Sequence, residues 1–216
     1  MKKTGCLLAM LALFGLLAAC GTQTPSVKAE AEPYLACVGK SREEVLTDMK
    51  LAEQSLSPHS VEGVDILEQA VQLDEQDFTV LLTYNLFDGE GNRLETPILA
   101  SVEFVYSAEN PEEADYGLAN RLYGELKKAY GEPDPLEGED SNEHFQLIGE
   151  LKELRVLIPG SHCTDAWSDI GHDGMQAVLT ASLYSNQNTV PDAEDPEGTS
   201  YRLSVLFRSQ PVIKKK

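Results

Sequence analysis

Cys20 is the nucleophile with the most distinctive setting in the chain, in Leu17-Ala18-Ala19-Cys20-Gly21 at the end of the only strongly apolar segment. The densest set of potential metal ligands lies elsewhere, at His162, Cys163, Asp165, His172 and Asp173. A zinc site wants His or Cys at short fixed spacings with a second pair elsewhere. His162 and Cys163 are adjacent, so on a strand they point to opposite faces, and His172 has no partner pair. These residues read as polar loop residues beside Trp167. Asp88-Gly89-Glu90-Gly91-Asn92 opens like a calcium-binding loop, but Arg93 stands where that loop needs glycine and Leu99 where it needs its last glutamate. The acidic stretch from Asp134 to Glu143 has no chelating frame either. No Gly-x-Ser-x-Gly, Ser-x-x-Lys, His-Glu-x-x-His or phosphate-binding glycine loop is present. With 36 acidic residues, carboxylate pairs arise by chance and nominate no glycosidase-like site. The expectation is no metal, no cofactor and no catalytic residue.

The start of the chain is more informative. Lys2 and Lys3 precede an uninterrupted apolar run from Leu7 to Ala19. A membrane span needs roughly 20 apolar residues, so this run suits a secretory signal better. Leu-Ala-Ala-Cys-Gly, with its positive start, core length and small residues, resembles the lipobox of bacterial lipoproteins. The resemblance covers about the first 21 residues. It implies a diacylglyceryl thioether on Cys20 and cleavage that makes Cys20 the new N-terminus. A thiolate is the side chain nucleophilic enough for that alkylation, and two acyl chains anchor stably where one does so marginally. The implied address is extracytoplasmic, on the cell membrane. An ordinary secretory signal with an incidental Cys20 is the alternative.

The chain then divides into a signal at 1–19, a lipidated tether at 20–33 and one domain at 34–213. Gly21 to Pro33 is polar with two prolines, and as a flexible coil it would span roughly 20 Å. About 180 residues follow, enough for one core and short for two. The chain carries 17 basic and 36 acidic residues, a net −19, and removing Lys2 and Lys3 with the signal makes this −21. Such a surface repels nucleic acid and anionic headgroups. Membrane attachment therefore falls to the lipid on Cys20. Cys37 and Cys163 are the two cysteines of the domain; an even pair outside the cytoplasm permits one disulfide, with two free thiols as the alternative.

The elements that must position any site follow from periodicity. Ser41 and Glu44 form a capping box opening a helix with Val45, Leu46 and Met49 on its apolar face. Ser57-Pro58-His59-Ser60 ends it, and Val64 to Leu73 fits helix or strand. Phe78 to Phe87 and Ile98 to Tyr106 alternate as a hairpin around an acidic tip. Pro111-Glu112-Glu113 starts a helix with Leu118, Leu122 and Leu126 in register, widened by Ala114, Ala129 and Tyr130, and stopped at Gly131. Leu147, Leu151, Leu154 and Ile158 repeat at helical spacing. Thr164 to Ile170, Met175 to Tyr184 and Tyr201 to Arg208 read as strands with one buried and one wet face. The fold expected is α+β: an antiparallel sheet of about five to six strands on two or three helices.

The Gly39-Lys40-Ser41 opening with Glu43-Glu44-Val45, the hairpin, and a helix ending in Tyr130-Gly131-Glu132-Pro133 resemble small α+β lipoproteins of Gram-positive bacteria without assigned chemistry. More loosely, the body is similar to β-lactamase-inhibitor-like and small outer-membrane-assembly lipoproteins, which are protein-binding modules. The resemblance implies a non-catalytic module whose open sheet face and acidic loops meet an envelope protein. The alternative is an extracytoplasmic hydrolase acting through acids or through His162 and His172. A transporter's ligand-binding subunit normally needs more chain.

Overall fold

The computed structural model describes residues 26–134, 162–168, 170–172, 174–185 and 198–209. An antiparallel sheet carries the chain's three described α-helices, α1 (Val27–Leu35), α2 (Arg42–Asp48) and α3 (Glu113–Tyr130). Its strands are β1 (Leu56–Pro58), β2 (Val64–Leu67), β3 (Val71–Leu73), β4 (Gln76–Phe87), β5 (Arg93–Glu109), β6 (His162–Ser168), β7 (Met175–Ser185) and β8 (Thr199–Ser209). The order across the sheet is β1-β2-β4-β5-β8-β7-β6, and β3 pairs with β4. The α+β antiparallel class is as expected. The strand number is not: eight strands are described instead of five or six. The three extra strands have only three or four residues each, too few for alternation to register. Asp74 and Glu75, at φ 48° and 64°, make the left-handed turn between β3 and β4 that matches strand twist.

Helix α1 is a second correction. It begins inside the stretch expected to be a flexible tether. Ser26 caps it by accepting the Ala29 amide, and Val27, Ala31, Tyr34 and Leu35 are buried along one face. Ending the tether at Pro33 separates Tyr34 and Leu35 from the residues that complete their stripe. Tyr34 meets Phe104 edge-on at 5.8 Å, and the Val27 amide donates to Glu125 of α3 at 3.0 Å. The packed domain therefore starts earlier than residue 34.

Helix α2 carries the expected capping box between Ser41 and Glu44. Glu44 lies below the usual carboxylate range because it accepts hydrogen bonds from Ser41. Helix α3 buries Leu118, Ala119, Leu122 and Leu126 against the sheet, while Ala114, expected on that face, is exposed. Gly131 at φ 92° ends it, a conformation that favours glycine. The core face of the sheet brings Phe78, Val80 and Leu82 of β4 beside Val102 and Phe104 of β5, then Tyr201, Leu203, Val205 and Phe207 of β8. β8 closes the middle of the sheet although it is last in sequence. Trp167, buried on β6, donates its indole N–H to the Gly131 carbonyl at 2.9 Å and tilts against Tyr123. It fastens the end of α3 to the sheet.

Among the described residues, no helix is long and apolar enough to cross a membrane. The helical spacing from Leu147 to Ile158, most of the acidic loop after Asp134, and Cys20 lie outside the described residues.

Candidate functional site

A cleft of about 550 Å³ opens where β4 and β5 run past the helices, between the start of α2 and the β1–β2 loop. Its size falls within the roughly 300–1,000 Å³ typical of ligand clefts. The β1–β2 loop is held by backbone bonds from the His59 amide to the Val64 carbonyl (2.8 Å) and from the Tyr84 amide to the Gly63 carbonyl (2.7 Å). Gly63 sits at φ 79°, and a Cβ there would lie 3.0 Å from Leu86 Cδ2 and 3.1 Å from the Tyr84 backbone carbonyl oxygen. Only glycine fits both the conformation and the space.

The register of the sheet breaks beside the cleft. Thr83 faces Ser101 and Tyr84 faces Leu99, so Ala100 has no opposite residue. Such a bulge re-aims the side chains after it. The outer side of β5 at this point is taken by the segment entering α2: the Gly39 amide donates to the Leu99 carbonyl and the Leu99 amide to the Lys40 carbonyl, both at 2.8 Å. That pairing brings Arg42 over the cleft.

Asp65 and Tyr84 are the two buried residues of the lining, 8% and 6% exposed. Arg42 donates from Nε to Asp65 Oδ2 at 2.6 Å and from its other side to Glu53. These bonds hold its pKa above the ordinary value even though burial pulls the other way. Arg93 at the cleft mouth pairs with Glu62. Both guanidiniums are thus answered by carboxylates. The Tyr84 hydroxyl has no hydrogen-bond partner among the described residues. Burial, and then the charge of Asp65, push its pKa up to about 12, with Arg42 opposing; the phenol stays protonated. His59 Nδ1 accepts the Val61 amide at 3.0 Å, which leaves Nε2 as the nitrogen carrying the proton of the neutral ring. Pro58, Val61, Val64, Leu86 and Pro97 supply apolar walls, and Val61 is 57% exposed at the rim.

The residues singled out in the sequence are not gathered here. Cys37 and Cys163 are both free and buried, so the disulfide that an even pair permits is not formed. Burial pushes the Cys163 thiol up to about 11, with Asp165 adding to it, and raises Cys37 as well. On β6, His162 is exposed and Cys163 buried, on opposite faces. Nε2 of His172 lies 3.2 Å from Glu32 of α1. Asp173 lies outside the described residues. Among the described residues no three of His, Cys, Asp and Glu are grouped to hold a metal ion. Conversely, Arg42, His59, Asp65 and Tyr84 were not legible as a set. Arg42 and Asp65 are 23 residues apart, and His59 reads only as part of a helix-breaking turn.

No protein-family model matches this chain, and no curated protein and no solved structure matches it.

Proposed function

We propose that the protein is an extracytoplasmic lipoprotein, anchored to the cell membrane through Cys20, that acts as a non-catalytic module and binds an envelope protein at the cleft. The observation that supports binding at this place is the cleft itself, about 550 Å³ with apolar walls from Pro58, Val61, Val64, Leu86 and Pro97, a size in the range of ligand clefts. The charged groups around it are engaged with one another, Arg42 with Asp65 and Glu53, Arg93 with Glu62. They shape the cleft as a receptor more than they equip it for proton transfer. The lipobox-like start supplies the address, and the net charge of −19 leaves attachment to the lipid.

Two measurements in the native cells test this reading. Fractionation should find the wild-type chain in carbonate-washed membranes and Cys20→Ser in the soluble fraction. A photo-crosslinking residue at Val61 should capture one protein of defined mass, and the same residue at exposed Arg208 should not. A Cys20→Ser protein that stays tightly in membranes refutes the anchor; identical adducts from both positions refute the cleft.

A further inference from the structure

From the way the chain enters the fold we infer that the partner of the cleft is a protein itself held in the same membrane, met on a short leash. The inference rests on the lipid anchor at Cys20 and on the cleft being the binding place. It adds where the partner must be.

The packed fold begins soon after Cys20. Ser26 caps α1, Val27 is 1% exposed, and the Val27 amide donates to Glu125 of α3 at 3.0 Å. Only six residue steps separate Cys20 from Ser26. Whatever path they take, covalent geometry limits their reach to about 20 Å. A tether running to Pro33 could reach about 45 Å. Fraying does not restore that length cheaply. Unwinding α1 would bring Val27, Ala31, Tyr34 and Leu35 into water and undo the contact of Tyr34 with Phe104.

Helix α1 also sets the cleft apart from the leash. It runs about 13 Å from Val27 to Leu35. The segment after it pairs with Leu99 and then brings Ser41 and Arg42 to the cleft lining. Leash and cleft thus lie at opposite ends of α1. A domain of about 180 residues is about 40 Å across, so the cleft stays within roughly 60 Å of the bilayer. A partner fixed beyond that layer is out of reach. A freely diffusing partner gains nothing from a short leash, because its concentration at the cleft does not depend on leash length. A partner in the same membrane does gain. Confining both proteins to one thin layer raises their effective concentration, and a shorter leash thins the layer.

Two readouts on the full lipidated chain test this. A dye on Lys28→Cys sits at an exposed position of α1, while Cys37 and Cys163 are buried. In liposomes with acceptor dyes on the headgroups, energy transfer should place it within about 30 Å of the surface. In the native cells, a photo-crosslinking residue at Val61 is compared between the natural leash and one lengthened after Gly21 by about twenty Gly/Ser residues. The longer leash should lower the adduct yield about two-fold as the shared layer thickens, with the melting temperature unchanged. The captured protein should also stay in carbonate-washed membranes of cells that lack this chain. An unchanged yield, as for a diffusing partner, or a higher one, as for a partner fixed farther out, overturns the inference and leaves the anchor and the cleft standing. So does a captured protein that washes off. A dye well beyond about 30 Å overturns the short leash itself. No adduct on either leash overturns the inference together with the binding place.

Discussion

The two ends of the sheet are built differently. From β5 through β8 and β7 to β6 the register runs without a break, Met175 facing Ser209 at one end of the β7–β8 pair and Ser185 facing Thr199 at the other. Large side chains there are buried: Trp167 is bonded to Gly131, and Phe207 packs edge-on against Phe104 at 6.2 Å. At the other end β1, β2 and β3 are stubs, the β4–β5 ladder slips twice and Gly63 is left-handed. Regular alternation makes a strong sheet but leaves no concavity. A cleft needs the ladder broken, and the intact half of the sheet supplies the stability that permits the break. Local strain at a site persists only where surrounding structure over-determines it.

The sharpest way to break this comparison is Trp167→Ala. Removing a buried tryptophan costs about 3–5 kcal/mol, and here the tie to the end of α3 goes with it. Urea unfolding should show a loss of about 4 kcal/mol, against less than about 0.5 kcal/mol for Val61→Ala at the exposed rim. Equal losses at the two positions would erase the division between a supporting end and a binding end.

A middling effect is expected at Arg42. Deleting one partner of a fully buried ion pair costs about 3–5 kcal/mol. Arg42 is 35% exposed and Asp65 12%, so screening by water reduces this to about 2 kcal/mol. Arg42→Ala should lose that amount by urea unfolding. Arg42→Ala with Asp65→Asn should recover more than half of it, because the penalty lies in the carboxylate left behind. No recovery would mean that Arg42 supports the fold by packing alone, and that the ionic frame of the cleft is incidental.

The same division governs what the sequence discloses. The intact end was legible. Met175, Ala177 and Leu179 alternate with Gln176 and Thr180, and β6, β7 and β8 lie within a residue or two of the expected bounds. Alternation and four-residue spacing are local properties, and so α3 is equally plain from Leu118, Leu122 and Leu126. The cleft is assembled from Arg42, His59, Asp65 and Tyr84, brought together by hairpin pairing and a bulge. No spacing encodes that. Strands of three residues carry too little pattern, and α1 was hidden because Pro33 and its polar neighbours resemble a linker until Tyr34 and Leu35 are added to Val27 and Ala31. Spacing permits a Cys37–Cys163 bridge but cannot test how close the two thiols lie.

A last test concerns those thiols and the buried phenols, whose effect is absent at neutral pH and shows only in alkali. An acid whose folded pKa is raised holds its proton longer in the native state than in the unfolded one. Stability is then constant below the unfolded pKa and falls as pH rises through the interval between the two. For Cys163 the interval runs from 9.0 to about 11; for Tyr34, Tyr84 and Tyr130 it runs from 10.0 to about 12. The melting temperature should therefore hold from pH 7 to about 9 and decline above it, and Tyr84→Phe should decline less steeply beyond pH 10. A raised thiol is also a poor nucleophile. Iodoacetamide at pH 8 should leave Cys37 and Cys163 unmodified in the native protein and alkylate both on unfolding without reductant, read by peptide mapping. Rapid labelling of native Cys163, or a bridged peptide joining the two cysteines, would show that the regular end of the sheet is looser, or differently tied, than its unbroken register requires.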